Sequence, residues 1–273
     1  MEGAKIYQMA HLKRWLTALI AIPILIYLIG FGPRWLFYVL LFGASCICLH
    51  EFFLLTSPKL PRIPRALAFV LCFFLLALFS QGFVQFAFAI LCFTAMIFLS
   101  FYLFSGPERR KEGIEGAATV ALGFLYIGLP LSLLVLVDRA PRGNVWIFFL
   151  LTVIFLGDTA AFYCGRLLGK HKLYVMVSPG KTWEGAVGGF AGSVLGGVFF
   201  SQIFSLHDSV WTIAMVSGAL AIAGQVGDLA ESMIKRNYGV KDSGKILPGH
   251  GGFLDRVDAL LFAIPVFYAF VIW

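Results

Sequence analysis

The sequence predicts an all-α, polytopic membrane protein with about nine transmembrane helices. Hydrophobic residues make up 60% of the 273-residue chain and charged residues only 13%, whereas soluble domains are about 45–50% apolar and about 25% charged. The mean hydropathy is +0.90. Because each membrane-spanning helix needs roughly 20 apolar residues, this composition excludes a soluble globular protein, a disordered chain and a fibre.

The nine predicted spans follow the apolar runs of the chain. They cover residues 15–31, 35–56, 66–80, 83–104, 117–137, 145–165, 184–204, 211–231 and 257–273. With these spans, 18 of the 21 Lys and Arg residues fall on the side of the N-terminus, and only Arg34, Arg139 and Arg142 fall on the other. Cytoplasmic loops collect positive charge, so we expect the N-terminus inside and the C-terminus outside. The net charge of +7 then reflects topology, and we expect no nucleic-acid partner.

Polar residues divide the chain into two parts. The five predicted spans within residues 1–137 are almost purely apolar apart from His50 and Glu51, and we expect this part to form mainly a scaffold and a route for lipid. Residues 138–273 contain segments rich in Gly, Asp, Lys and Ser, so we expect the catalytic site and its cytoplasmic loops there. Carboxylates within spans are costly and mark function. Seven share the cytoplasmic leaflet in the predicted topology: Glu51, Asp158, Glu184, Asp228, Glu231, Asp255 and Asp258.

The segment 224–258 has the chemistry of a metal–polyphosphate site. Asp228 and Glu231 are one helical turn apart, and Asp255 and Asp258 repeat that spacing at the start of the next helix. Carboxylate oxygens are ligands that Mg²⁺ prefers, while glycine-rich turns and lysines bind anions. We predict Mg²⁺ between Asp228 and Asp255, with Glu231 and Asp258 holding a second cation or orienting the first. A purely ion-paired loop that caps a helical hairpin is the alternative.

A shorter segment, residues 178–185, has the pattern of a helix start. Ser178-Pro179 predicts a turn, and Thr182 is a suitable N-cap for the helix that follows. Lys181 would then lie at the mouth of that helix, where the N-terminal dipole also favours anions. We therefore expect Lys181 to contact a substrate phosphate.

The C-terminal motif resembles the signature of a known enzyme family. Residues 232–258, SMIKRNYGVKDSGKILPGHGGFLDRVD, match every fixed position of the pattern S-x-x-K-R-x4-K-D-x-G-x2-L-P-G-H-G-G-x-x-D-R-x-D of the phosphatidate cytidylyltransferase (CDP-diacylglycerol synthase) family. The upstream segments GDTAAFYCGRLLGK and SPGKTWEG are also similar to family motifs. Gly157 and Gly180 stand where family members often have Asn and Lys.

The resemblance implies a reaction and a location. CTP and phosphatidate would give CDP-diacylglycerol and pyrophosphate for phospholipid biosynthesis, by in-line attack of the lipid phosphate on the α-phosphate of CTP with the help of Mg²⁺. The enzyme would be a multi-pass protein of the cell (inner) membrane with its active site facing the cytoplasm, in contact with membrane lipids. The sequence leaves a homodimer open.

The expected site residues form three groups. The catalytic group comprises Asp228, Asp255 and Lys181. The substrate-binding group comprises Lys170, Ser178, Lys181, Thr182, Ser232, Lys235, Arg236, Lys241, Asp242, Lys245, His250, Gly251 and Arg256. A supporting group behind the reacting atoms comprises Glu51, Asp158 and Glu184.

The sequence leaves two other functions open. Ion-coupled transporters also carry carboxylates within their spans, but the sequence has neither a visible inverted repeat nor polar residues through the full membrane depth. A CTP-dependent transferase acting on a different lipid phosphate would use the same residues as the first interpretation.

Overall fold

The computed structural model describes residues 19, 22–106, 113–244, 246 and 251–272, and the predicted all-α architecture is confirmed there. Residues 22–30 are helical. The helices that follow are α1 (Arg34–Thr56), α2 (Arg62–Ser80), α3 (Ala87–Leu103), α4 (Gly113–Gly123), α5 (Leu129–Arg139), α6 (Gly143–Leu168), α7 (Trp183–Phe204), α8 (Val210–Asn237) and α9 (Leu254–Ile272). A 3-10 turn, Val84–Phe86, precedes α3, and a π-helical turn, Phe124–Gly128, joins α4 to α5.

Within the described residues, seven helices are long and apolar enough to cross a membrane. They are Arg34–Thr56, Arg62–Ser80, Val84–Leu103, Gly113–Arg139, Gly143–Leu168, Trp183–Phe204 and Val210–Asn237, and they correspond in order to the second to eighth predicted spans. Part of the first predicted span, 15–31, lies outside the described residues. The ninth matches α9, whose first turns carry Asp255, Arg256 and Asp258 before an apolar stretch. The polytopic character is confirmed, while the ninefold count and the orientation of the termini stay predictions.

Glycines on one face of α7 bring that helix into close contact with α6. An added Cβ at Gly192 would meet Ala160, and one at Gly196 would meet Leu156. Small residues four apart allow two helix backbones to approach closely in a membrane. The contact places the C-terminal end of α6 beside the N-terminal start of α7.

The described β-structure is a hairpin that connects these two helix ends. Strand β1 (Lys172–Tyr174) pairs antiparallel with β2 (Ser178–Thr182), and residues 175–177 form the turn. The predicted turn at Ser178-Pro179 is therefore wrong. Pairing of Tyr174 with Ser178 starts β2 there, and a proline fits a strand that has a free edge.

The predicted helix cap after the hairpin is confirmed. The side-chain oxygen of Thr182 accepts a hydrogen bond from the Gly185 N–H at 3.1 Å, which satisfies one of the unpaired donors in the first turn of α7. Lys181 precedes this cap at the end of β2. Strand pairing and helix capping therefore fix the backbone on both sides of Lys181.

Helix α8 runs six residues beyond its predicted end at Glu231. Its last turn carries Lys235 and Arg236, and cations near the C-terminal end of a helix are stabilised by its dipole. Glu231 and Lys235 are four residues apart, so they lie on the same face of this one rigid helix.

The three arginines expected on the outer side lie at the end of the bundle opposite the hairpin, where they bind helix ends. Arg34 pairs with the buried Asp138 at 2.7 Å, which ties the start of α1 to the end of α5. Arg139 donates to the carbonyl oxygen of Ser80 at 2.5 Å, and Arg142 donates to carbonyl oxygens at the C-terminal end of α7. Basic residues at this end therefore serve packing between helices.

Candidate active site

A cavity of about 810 Å³ opens where α6 ends, α7 begins and the last turns of α8 approach α9. Its polar lining contains Asp158, Arg166, Ser178, Lys181, Thr182, Gln225, Asp228, Ser232, Lys235, Arg236, Lys241, Asp242, Asp255, Arg256 and Asp258. Phe155, Phe162 and Leu173 contribute apolar surface. All lining residues fall between positions 155 and 258, inside the part of the chain that the sequence assigned to the site.

Lys235 bridges two buried carboxylates between α8 and α9. Its Nζ lies 2.5 Å from Oε2 of Glu231 and 2.6 Å from Oδ1 of Asp255. The side chains of Lys235, Glu231 and Asp255 are 11%, 0% and 8% exposed. Because an unpaired buried charge is strongly unfavourable, Lys235 offsets both carboxylates and holds the start of α9 against α8.

Lys181 makes a second pair on the wall of the cavity. Its Nζ lies 2.7 Å from Oδ2 of Asp228, which joins β2 to α8. Oδ1 of Asp228 accepts a hydrogen bond from the Ser232 hydroxyl at 3.4 Å, one turn further along the helix. The Lys181 and Asp228 side chains are 27% and 37% exposed, so both charged groups of this pair can be reached from the cavity.

Asp255 is fixed by backbone donors as well as by Lys235. Its Oδ2 accepts hydrogen bonds from the Ser243 N–H at 3.0 Å and the Gly252 N–H at 2.8 Å. These donors lie on the two sides of the loop between α8 and α9. The carboxylate therefore closes the loop and is itself held in one orientation towards the cavity.

Glu51 reaches the same loop from the first half of the chain. This α1 side chain is buried, with the residue 1% exposed. Its carboxylate accepts hydrogen bonds from the Phe253 N–H at 3.0 Å, the Leu254 N–H at 2.8 Å and the Ser243 hydroxyl at 3.2 Å. Two of these donors are backbone groups at the start of α9, where a helix leaves N–H groups unpaired and favours negative charge.

Two glycines allow this close approach. Gly251 has φ of +80°, in the left-handed region that glycine adopts without strain. An added Cβ at Gly252 would clash with the hydroxyl of Ser243 and the carboxylate of Glu51. The glycine-rich composition of the loop thus serves tight packing around Glu51 and Asp255 within the described residues.

Several predicted site residues lie elsewhere or outside the described residues. Glu184 does not line the cavity; it accepts hydrogen bonds from His171, whose Nδ1 lies 2.7 Å from Oε1. Lys170 is exposed near the hairpin and is not part of the lining. Lys245 and His250 lie outside the described residues.

Sequence reasoning missed the contribution of one face of α6. Asp158, Ala161, Phe162, Gly165 and Arg166 all line the cavity. They follow the spacing i, i+3, i+4, i+7 and i+8, which marks one face of a helix. That spacing, starting from the predicted Asp158, is the signal that identifies Arg166 as a cavity residue.

The described residues contain no group of three or more His, Cys, Asp or Glu side chains arranged to hold a metal ion. Asp228 is paired with Lys181, and Glu231 and Asp255 are paired with Lys235. Their chemistry nevertheless fits Mg²⁺, since the candidate donors are all carboxylate oxygens. The buried Oε1 of Glu231 also has no hydrogen-bond partner among the described residues.

Comparison with known proteins gives the family of this chain. The profile of the cytidylyltransferase family matches residues 12–273. The chain belongs to this family. Phosphatidate cytidylyltransferases of Staphylococcus epidermidis and Staphylococcus haemolyticus are each 34% identical to it, over 256 and 258 residues, covering 93% of this chain and 96% of each relative. The Brucella suis protein of the same name is 44% identical over 157 residues, 57% of this chain and 58% of its own length. The resemblance recognised in the motifs is confirmed.

Proposed function

We propose that this protein transfers the cytidylyl group of CTP to phosphatidate, giving CDP-diacylglycerol and pyrophosphate. The observation that carries the proposal is the cavity at one end of a membrane-spanning bundle, where carboxylates and cations meet. One substrate is a soluble triphosphate and the other a lipid phosphate, so the reaction needs a charged site at the membrane surface. Full-length relatives named phosphatidate cytidylyltransferase support the same activity.

The cavity has the size and charge that these substrates require. Its volume of about 810 Å³ falls within the range of roughly 300–1,000 Å³ that is usual for small-molecule sites. Lys181, Arg236, Lys241 and Arg256 line it, and their positive charges would bind the triphosphate of CTP and the phosphate of phosphatidate. Lys181 is the best placed of these, since strand pairing and the Thr182 cap fix its backbone.

The chemical step is an in-line displacement. A phosphate oxygen of phosphatidate attacks the α-phosphorus of CTP, and the bond from that phosphorus to the oxygen bridging the β-phosphate breaks. Pyrophosphate leaves with the bonding electron pair. A phosphate monoester is already ionised near neutral pH, so the side chains need to position the two phosphates and offset their charge and need not remove a proton.

A divalent cation fits the carboxylate side of the cavity. We propose that Asp228 and Asp255 hold Mg²⁺, and that Glu231 and Asp258 hold a second cation or orient the first. When bound, Mg²⁺ would offset negative charge on the phosphate oxygens. Lys181 and Lys235, which pair with these carboxylates in the structure, would then interact with substrate phosphates.

We also propose that the cavity faces the cytoplasm of a bacterial cell membrane. The segments on its side of the predicted topology carry 18 of the 21 basic residues, and positive loops stay in the cytoplasm. The relatives named above are bacterial proteins. Glu51 and Glu184 would support the site from outside the cavity, with Glu51 holding the loop that orients Asp255, whereas Asp158 would face the substrates from the cavity wall.

Transfer of label from CTP to lipid tests the proposed function. The purified protein in detergent micelles is incubated with Mg²⁺, phosphatidate and CTP labelled at the α-phosphate. Label should move into the chloroform-soluble fraction, whereas label at the γ-phosphate should appear in pyrophosphate. Label that stays aqueous with phosphatidate, but enters lipid when another lipid monophosphate is supplied, would show that the transferase acts on a different lipid. Label that never enters lipid would overturn the proposal.

A further inference from the structure

The tip of the hairpin exposes three consecutive apolar side chains. Tyr174, Val175 and Met176 are 51%, 59% and 84% exposed. Contiguous exposed apolar side chains on a protein surface mark contacts with another protein or with a membrane. The hairpin tip, defined as residues 174–176, therefore needs an apolar environment that the described chain does not provide.

The attachment of the hairpin places its tip at the level of the membrane surface. It connects the ends of two membrane-spanning helices, α6 and α7. Leu167 and Leu168, in the last turn of α6, are 77% and 63% exposed, and Trp183, the first residue of α7, is 58% exposed. Exposed apolar residues thus continue to both helix ends, and tryptophan side chains prefer the headgroup region.

The base of the hairpin carries positive charge. Arg166, Lys170 and Lys172 are exposed on the chain that leads into it. Basic side chains beside apolar ones are typical of elements that lie in the interface of a membrane containing anionic lipids. The charge complementarity therefore favours a lipid surface over a protein partner.

The same hairpin forms part of the wall of the cavity. Leu173 in β1 and Ser178 and Lys181 in β2 line the cavity. The carbonyl oxygen of the buried Val177 accepts a hydrogen bond from Nε of Arg236 at 3.3 Å, which attaches the hairpin to α8. A short, anchored element thus runs from exposed apolar side chains to the proposed phosphate-binding Lys181.

We propose that the hairpin tip inserts into the lipid surface and that the lipid substrate enters the cavity along the hairpin. The acyl chains stay in contact with Tyr174, Val175 and Met176, while the anionic headgroup passes the basic base of the hairpin towards Lys181. The ligand class is a bilayer lipid that carries a phosphate monoester. The inference rests on the proposed function for the identity of this substrate, but the insertion of the tip does not depend on it.

Photo-crosslinking tests the insertion directly. Benzoylphenylalanine replaces Tyr174 in the full chain, reconstituted in vesicles of phosphatidylglycerol and phosphatidylethanolamine that contain traces of radiolabelled phosphatidate. Tyr238, which is 45% exposed after the end of α8, gives a matched control with the same substitution. Illumination should attach labelled lipid to the Tyr174 variant several-fold more than to the Tyr238 variant. Equal or lower labelling at Tyr174 would overturn the insertion.

Kinetics test the guiding role. Met176→Asp should raise the KM for long-chain phosphatidate in vesicles by roughly tenfold or more, since the proposed apolar contact with lipid is replaced by a charge. Met176→Leu, as the matched control, should behave as the wild type. The KM for CTP and the activity on short-chain, monodisperse phosphatidate should stay unchanged in both variants. Equal kinetics of Met176→Asp and wild type on vesicles would overturn the guiding role of the hairpin. A wild-type protein that transfers no label from CTP to any lipid would instead overturn the proposed function.

Discussion

The carboxylate of Glu51 accepts a hydrogen bond from the hydroxyl of Ser243, a residue 192 positions further along the chain, at 3.2 Å. The backbone N–H of the same Ser243 donates to Asp255. One loop residue thus connects a buried carboxylate of the first half of the chain to a proposed metal ligand of the second. The almost purely apolar first half therefore contributes directly to the geometry of the site.

Replacing Glu51 by Gln should loosen this loop and lower turnover. A glutamine has one carbonyl oxygen for the three donors that Glu51 satisfies, and its amide group would face other donors. Each buried donor left unsatisfied costs about 1–3 kcal/mol. We expect a lower melting temperature in detergent and a fall in kcat that exceeds any change in the KM for CTP.

Ser243→Ala provides the matched control for Glu51. It removes one donor and keeps the charge, so its effects should be smaller. The double variant should lose less than the sum of the two single variants, because both changes break the same hydrogen bond. If Glu51→Gln leaves the melting temperature, kcat and both KM values unchanged, the hydrogen bonds of Glu51 do not govern the geometry of the site.

The two paired lysines should respond differently to the same substitution. Lys235→Met would leave Glu231 and Asp255 buried without their cation, and breaking a buried pair costs about 3–5 kcal/mol. Lys181→Met removes a more exposed partner of Asp228, and pairs of that kind are worth at most about 1 kcal/mol. Thermal unfolding in detergent should therefore show a large loss for Lys235→Met and a small one for Lys181→Met.

Activity separates the roles of these lysines further. The Lys181→Met protein should fold and yet show a lower kcat or a higher substrate KM, because the proposed phosphate contact is missing. Lys181→Arg should retain part of the activity, since it keeps the charge but changes its geometry. Full activity of Lys181→Met would show that this charge serves only the orientation of the protein in the membrane.

The proposed metal site predicts a graded response of four carboxylates. Asp228→Asn and Asp255→Asn should each fold and abolish turnover, because Asn is nearly isosteric but carries no charge. Glu231→Gln and Asp258→Asn should cost less. The measurement is the Mg²⁺ dependence of activity in the purified variants after removal of metal by a chelator, with wild-type activity restored by Mg²⁺ alone.

Of the two variants that should abolish turnover, Asp228→Asn should affect the stability of the protein less than Asp255→Asn. Asp228 is 37% exposed and its strongest contact is Lys181, so its stability should stay close to that of the wild type. Asp255 also closes the loop through the N–H groups of Ser243 and Gly252, so its variant should unfold at a lower temperature. Wild-type activity and Mg²⁺ dependence in Asp255→Asn would refute the assignment and direct the search for ligands to Asp158, which lines the same cavity.

Local patterns in the sequence predicted much of this structure. The spans follow from apolar runs about as long as a bilayer is thick. The N-cap role of Thr182 follows from the preference of helix N-termini for a side-chain oxygen that accepts a backbone N–H. The hairpin escaped prediction because its two short strands are defined by their mutual pairing. Pro179, which usually marks a turn, lies inside one of them.

Contacts between distant residues account for the rest. The predicted topology places Glu51 at the same membrane depth as the C-terminal carboxylates. No sequence pattern, however, links it to Phe253 or Leu254, which lie more than 200 positions away. Likewise, the lysines of the C-terminal motif could be read as free to bind phosphate. Only the packing of α9 against α8 brings Lys235 between Glu231 and Asp255.

The last prediction concerns the orientation of the cavity in the membrane. Val240 is exposed in the loop between α8 and α9, and Asp208 is exposed in the connection between α7 and α8 at the other end of the bundle. In intact cells, a membrane-impermeant maleimide should label Asp208→Cys above the background of the native cysteines. It should label Val240→Cys only after the membrane is opened, because loops rich in Lys and Arg are expected to face the cytoplasm. Reversed labelling would put the site outside the cell, away from cytoplasmic CTP, and labelling of both from one side would show that α8 does not cross the membrane.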